Sequence, residues 1–324
     1  MNYKLGFGPM SHMIVDILAD YANANQKPIM IIASRNQVDA DSGYVMSTRE
    51  LSDKIRFKRE YLLLCRDHCG PYFLDSEKHL SQRQAIEATK KTIAMDIESG
   101  FDLLHIDTSR CDDSFKVADE LFKFCLDLKS NILFEFGTEE NVGLAAGITK
   151  YMEDARFASQ YSNVEYVVAQ TGSLTYEDRQ AGTFEFDMVK GLVDIANAHN
   201  LKLKEHNADY LNADQIKLRK QAGVHACNIA PQLGVIQTTA ILRLADYYAI
   251  STENYKNAVI QSEKWAKWTK SKDNDLRVRI AGHYLFNSPE YKQIETQLEQ
   301  LCNVSLSVSK PIHDCLDLYF DNLY

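Results

Sequence analysis

The sequence predicts an α/β protein, a (β/α)8 TIM barrel with a C-terminal helical extension. Three observations carry that expectation. Eight short runs rich in aliphatic and β-branched residues recur along the chain, each bounded by polar residues or by Gly and Pro. Segments with helical periodicity lie between them. No Pro/Gly/Ser-rich linker separates the segment from about residue 232 onward from the rest.

The elements follow in order. LGFG (5–8) precedes HMIVDILADYAN, and PIMIIAS (28–34) precedes TRELSDKIRF. YLLLCRD (61–67) is followed by SQRQAIEATKKTIAMDIESG, and FDLLHID (101–107) by SFKVADELFKFCLDL. NILFEFG (131–137) and VEYVVAQ (164–170) come next, the latter before FDMVKGLVDIANAHN. LKLKEHN (201–207) precedes NADQIKLRKQAG, and VHACNIA (224–230) closes the series. Near-continuous apolar strands are expected where both faces of a parallel sheet are covered. From about residue 232, TTAILRLADYYAI, NYKNAVIQSEKWAKW and SPEYKQIETQLEQLC read as an eighth helix and then further helices. The expected organisation is a barrel over 1–250 and an extension over 251–324 packed on it, a single domain overall.

Composition bounds the function. With 45% hydrophobic and 25% charged residues in 324, the chain matches an ordinary soluble globular protein. A net charge of -9 and a pI near 5.5 argue against nucleic acid and anionic membrane surfaces, which favour clustered Lys and Arg. A small-molecule substrate fits better. The start has no basic region followed by a long apolar run, and no stretch of 18 apolar residues occurs, so a cytoplasmic location is expected. Seven scattered cysteines give neither a disulfide framework nor a CxxC zinc pattern and are read as reduced core residues.

In such a barrel the C-terminal ends of all strands converge on one face. The residues there are unusually polar: Ser11 and His12, Asn36 and Gln37, Asp67 and His68, Asp107 and Ser109, Glu135 and Glu139, Gln170, then Glu205, His206 and Asp209, and Asn228. Imidazole plus carboxylate is the ligand set expected for Zn2+ or a similar divalent ion, with Mn2+, Co2+ or Mg2+ as alternatives. Such an ion would polarise a ketone while a carboxylate such as Asp67 moved a proton. Blander roles compete. Asp107, Asp209 and Asn228 could cap following helices, Glu139 and Glu140 could begin one, and His105 reads as a satisfied buried histidine. His79, His199 and His283 read as surface or structural residues, and Cys65 and Cys69 as barrel-wall filler.

The ordered motifs SRNQVDADSGY (34–44), DHCGP (67–71), HIDTS (105–109), FEFGTEE (134–140) and EHNADY (205–210) resemble the tagatose-bisphosphate aldolase non-catalytic subunits of the GatZ/KbaZ type. The SH of GPMSHMIV resembles a further family segment and points to His12. Relatives are TIM barrels related to class II ketose-bisphosphate aldolases, and some act as ketose epimerases. The resemblance implies a metal held by His68 and His206, with Glu139 or Glu135 completing the set. Asp67, Glu135 and Asp107 would serve catalysis, and His12, Asn36, Gln37, Ser109, Gln170, Asp209 and Asn228 would contact substrate. The activity implied is that of a divalent-metal-dependent enzyme on a ketose or ketose phosphate, foremost a C4 epimerase. Aldol cleavage, or a non-catalytic role stabilising a class II aldolase chain, is the alternative, and a homo-oligomer is a further expectation. The sequence departs from the family at Asn228, Ile229, Ala230 and Pro231, and at RVRIAGHYLF (277–286), where a phosphate or distal group would be gripped.

Overall fold

Leu5–Phe7 (β1), Ile29–Ser34 (β2), Leu62–Cys69 (β3), Leu103–Asp107 (β4), Leu133–Gly137 (β5), Val164–Ala169 (β6), Lys202–Glu205 (β7) and Ala226–Ile229 (β8) are the eight strands expected from the apolar runs. In a computed structural model, which describes residues 3–138, 143–145 and 147–323, they pair in parallel and close into a barrel, β8 returning to β1. Each is followed by a helix: His12–Asn25 (α1), Thr48–Ile55 (α2), Gln82–Glu98 (α3), Ser114–Leu128 (α4), Ile148–Ala158 (α5), Phe186–Ala198 (α6), Ala213–Ala222 (α7) and Pro231–Tyr247 (α8). Local signals set the helix starts. Ser47 and Glu50 form a capping box on α2, as do Asn212 and Gln215 on α7, where Gly223 ends the helix in a left-handed conformation.

The period-two alternation of the strands divides the core into two parts. Met30, Ile32, Leu63, Cys65, Leu103, Tyr166 and Ala226 fill the barrel lumen. Their neighbours in sequence, such as Ile29, Ile31, Leu62, Leu64, Leu104 and Ile106, face the helices. The same parity sends Arg66 outward, where it pairs with Asp96 of α3, both side chains being 0% exposed. Arg66 also donates to the Ala33 carbonyl at 3.0 Å and to the Thr48 hydroxyl. Strand β3 therefore ends on charge for two reasons: Arg66 knits the wall to α3, and the next residues turn to the mouth.

The extension consists of Glu253–Gln261 (α9), Asn274–Ala281 (α10), Pro289–Glu299 (α11) and Val304–Leu323 (α12). Helix α12 packs on α7, α8 and α1, and the Tyr319 hydroxyl donates to the Ala208 carbonyl at 2.5 Å. Two 3-10 turns, Lys264–Lys267 and Gly282–Leu285, reach back to the barrel mouth. The first is tied down by a hydrogen bond from the Glu177 amide to the Trp268 carbonyl (3.0 Å), and α10 by an Arg279–Asp178 ion pair (2.7 Å). All seven cysteines are free thiols. Among the described residues no helix is long and apolar enough to cross a membrane.

Candidate active site

The site forms at the C-terminal ends of the strands because β3 is irregular. Arg66 pairs with Leu104 and Cys69 with Ile106, so β3 spends one more residue than β4 over this interval. Such a bulge redirects side chains at a barrel rim. His68 takes φ 47°, and both Asp67 and His68 thereby reach the mouth instead of alternating across the wall. Gly70 then passes so close to β4 that a Cβ there would meet the Asp107 carbonyl oxygen at 1.5 Å. Only glycine fits at that point of DHCGP.

His105 and Asp107, two apart on β4, project into the same cavity, as does His206 just beyond β7. The ligand atoms of Asp67, His68, His105 and His206 all lie within 4.8 Å of one another. Asp67 is the centre: its carboxylate is 3.8 Å from His68 Nε2, 3.7 Å from His105 Nδ1 and 3.7 Å from His206 Nδ1. Carboxylates hold the far sides of two rings. Asp107 Oδ2 lies 2.6 Å from His68 Nδ1, and Glu135 Oε1 lies 3.2 Å from His206 Nε2. Glu135 is itself buried and paired with Lys204 below the cavity. His68 stacks on Phe73, with ring centroids 5.1 Å apart.

Electrostatics follow from this crowding. Burial opposes charge on Asp67, but the adjacent rings of His68, His206 and His105 outweigh it and hold the carboxyl well below its usual range. Burial likewise opposes charge on Glu135, and Lys204 and His206 again outweigh it. For His68 burial is overcome by Asp67 and Asp107, which lift its pKa to about 9. For His206 burial wins and the pKa falls. The cluster thus holds unlike imidazoles, His68 shifted toward its charged form and His206 toward its neutral one.

The donor set suits a divalent cation. Donors about 2.1 Å from a tetrahedral ion sit roughly 3.4 Å apart, and the three ring nitrogens lie within 4.8 Å of one another with Asp67 among them, close enough for one ion to take the rings with the carboxylate beside it. His105 Nε2 is buried without a hydrogen-bond partner among the described residues. Rings whose second nitrogen is held by a carboxylate, as in His68 and His206, are oriented in the manner of metal ligands.

The other expected residues divide. Asn36, Gln37, Ser109 and Gln170 line the cavity, whose volume is about 940 Å3. Ser109 is anchored on Asp107, its hydroxyl 2.7 Å from Oδ1. Asn228 is buried beside the cavity with its amide 3.5 Å from Asp67. His12 is turned to the neighbourhood of Val45, Glu50 and Lys54. Asp209 accepts from the backbone amides of Ala230 (3.0 Å) and Gln232 (2.9 Å), so it fastens the turn into α8. Glu205 faces outward and pairs with Arg219 at 2.8 Å. Glu139 and Glu140 lie outside the described residues. His105, read from sequence as a satisfied core residue, belongs to the cluster; its shared parity with Asp107 was the available signal. Lys78, Arg110, Glu263, Lys264, Lys267 and Trp268 also line the cavity, unannounced by any motif. His283 and Tyr284, within the RVRIAGHYLF segment, line it too, so His283 is a buried cavity residue and not a surface one.

A closed barrel with a histidine-rich, carboxylate-flanked centre at the strand ends defines a class of barrel with a candidate metal site. Within that class the family model described as D-tagatose-1,6-bisphosphate aldolase subunit GatZ/KbaZ-like matches residues 10–123, in agreement with the resemblance carried by the motifs. Among solved structures, a protein described as a probable tagatose 6 phosphate kinase from Sinorhizobium meliloti 1021 is similar over 98% of this chain and 99% of its own, with TM-score 0.82 and 19% identity. The fructuronate-tagaturonate epimerase UxaE from Cohnella laeviribosi is similar over 98% and 81%, with TM-score 0.66 and 10% identity. The fructose-bisphosphate aldolase Fba from Campylobacter jejuni is similar over 92% and 90%, with TM-score 0.57 and 12% identity. At these identities the likeness is one of fold.

Proposed function

We propose that this protein is a divalent-metal-dependent enzyme acting on a ketose or ketose phosphate, foremost as a C4 epimerase and next as an aldolase. The observation that carries the reading is the convergence of His68, His105 and His206 on Asp67, with Asp107 and Glu135 holding two of the rings. A buried cluster of this kind is costly when idle. The matched family and the epimerase and aldolase barrels of similar fold support the sugar as substrate class.

His68, His105 and His206 would hold the cation, Zn2+ in the first instance. A bound cation of this type supplies Lewis acidity toward a substrate carbonyl. Asp67, held as a carboxylate, is the base that takes the proton. Asn228, 3.5 Å away, donates its amide to that carboxylate and fixes its direction. Asn36, Gln37, Ser109 and Gln170 offer hydrogen bonds to sugar hydroxyls. The Phe73 ring shields one side of His68 from water.

Elemental analysis of the purified protein, with His105→Ala and His206→Ala beside it, tests the cation site. Incubation of the metal-loaded protein with fructose-type and tagatose-type sugars and phosphates, followed by NMR, separates epimers from three-carbon fragments. No stoichiometric cation and no turnover would overturn the reading. The family description, that of an aldolase subunit, favours one other role, and we take it as a stabilising partner of a class II aldolase chain; co-purification with such a chain, without turnover alone, would support it.

A further inference from the structure

Beneath the imidazole cluster the apolar lumen of the barrel holds an ion pair. Lys204 of β7 and Glu135 of β5 meet there with both side chains 0% exposed, among Met30, Leu63, Cys65, Leu103 and Tyr166. Stability alone does not account for such a pair, since well-packed apolar residues in its place are often neutral or better. Lys204 has no other carboxylate within ion-pair distance among the described residues. Its ammonium lies 3.6 Å from Met30 Sδ and 5.4 Å from the Tyr166 ring centroid.

The two oxygens of Glu135 face different ways. On the lumen side Oε2 accepts from Lys204 and from the Cys65 thiol at 3.3 Å, while Oε1 lies 3.2 Å from His206 Nε2. The other nitrogen of that ring, Nδ1, is 3.7 Å from Asp67 Oδ1, beyond hydrogen-bond length. A cation binds the neutral imidazole, which carries one N–H and one lone pair. A carboxylate only accepts, so the hydrogen belongs on Nε2, within reach of Glu135, and the lone pair stays on Nδ1. An ammonium has three donors and no acceptor, so Lys204 admits only an oxygen of residue 135 on its side.

We propose that Lys204 is a positioning residue: by holding Glu135 Oε2 from the lumen it presents Oε1 to His206 Nε2, which fixes the Nε2–H tautomer and turns the Nδ1 lone pair toward Asp67. The assignment deepens the function proposed above and rests on it for what that lone pair would hold. Groups that orient a ligating ring in this way set its affinity for a cation although they never touch the ion.

Long-range proton–nitrogen NMR of the histidine-labelled, metal-free full chain tests this, with the His206 signals identified by their loss in His206→Gln. The wild type should show His206 as the Nε2–H tautomer. In Glu135→Gln, Lys204 should take the amide oxygen, leave the amide NH2 facing Nε2 and invert the ring to Nδ1–H. Zn2+ affinity, read by competition against a chelating dye, should fall roughly 10–100-fold in that variant. Lys204→Met/Glu135→Gln leaves no unpaired buried charge, so it carries the test even where the single variant does not fold. With the amide free to turn, both tautomers should appear in it. An Nδ1–H ring in the wild type, no inversion in a folded Glu135→Gln, or a single tautomer in the double variant would overturn the assignment. A wild type that shows the expected tautomer yet takes up no cation sinks the function proposed above and leaves the role of Lys204 standing.

Discussion

The Asp107 carboxylate lies 2.6 Å from His68 Nδ1, which leaves Nε2 as the nitrogen turned to Asp67, 3.8 Å away. Asp107 is in turn held by the amide (3.1 Å) and hydroxyl of Ser109. Asp107→Asn should therefore preserve the fold and weaken cation affinity by roughly 10–100-fold. Competition against a chelating dye measures this. An unchanged affinity would show that Asp107 does not orient the ring.

Cation binding should depend on pH through His68. Its pKa is raised to about 9 by Asp67 and Asp107 against the opposing effect of burial, so near neutrality a cation must displace a proton. The logarithm of the affinity should rise by about one per pH unit from 7 to 9 and then flatten. The sign for stability is opposite in the metal-free protein. A histidine with a raised folded pKa stabilises fully below its unfolded value near 6.5, and that contribution is lost as pH rises through about 9. Melting curves of the apo protein at pH 6 and pH 10, with His68→Gln as reference, read it directly.

Asp67→Asn separates two roles. As the base, Asp67 should be replaceable without loss of the cation, with turnover falling by about 10²–10⁴-fold. Loss of the cation in parallel would make Asp67 a ligand instead. Metal content and turnover measured on the same preparation decide between them.

Arg66 and Asp96 form a fully buried pair between β3 and α3. Arg66→Met leaves Asp96 with an uncompensated buried charge and should cost about 3–5 kcal/mol. Adding Asp96→Leu should recover much of that loss. Urea unfolding of the single and double variants tests the pair, and equal stability of both would exclude it.

Asp209 is buried with its pKa raised to about 6 by desolvation, although the Gln232 and Ala230 amides favour its charge. Its folded value exceeds the ordinary 3.8, so the folded state binds more protons in that window, and stability falls as pH rises from about 4 to about 6. Asp209→Asn can keep one acceptor for both amides. It should gain up to about 2–3 kcal/mol at pH 8 and nothing at pH 3.5. Denaturation at the two pH values checks the difference.

Much of the site was legible in the chain because side-chain direction in a strand has a period of two. Given strands ending at 67, 107 and 205, the inward set follows from local alternation: Leu63, Cys65 and Asp67 share a face, as do His105 and Asp107, and Lys204 and His206. The same rule sends Glu205 outward, toward Arg219 on α7. The same parity places His105 beside Asp107, although its position within an apolar strand also suits a buried structural role. Asp209 and His12 stand near strand ends in sequence but face backbone amides and α2, which strand-end position alone does not reveal.

The sequence by itself determined the eight-fold alternation, the inward parity of the lumen residues and the pairing of acid with imidazole at strand ends, because these depend on local periodicity and residue chemistry. The tertiary structure alone decided that a bulge in β3 brings Asp67 and His68 to one mouth, that three rings meet around one carboxylate, and that the extension places lysines and His283 over them. Those outcomes depend on register between neighbouring strands and on packing between segments distant in the chain, as His68 is from His283. No local pattern encodes such distances, since they are fixed only when the barrel closes.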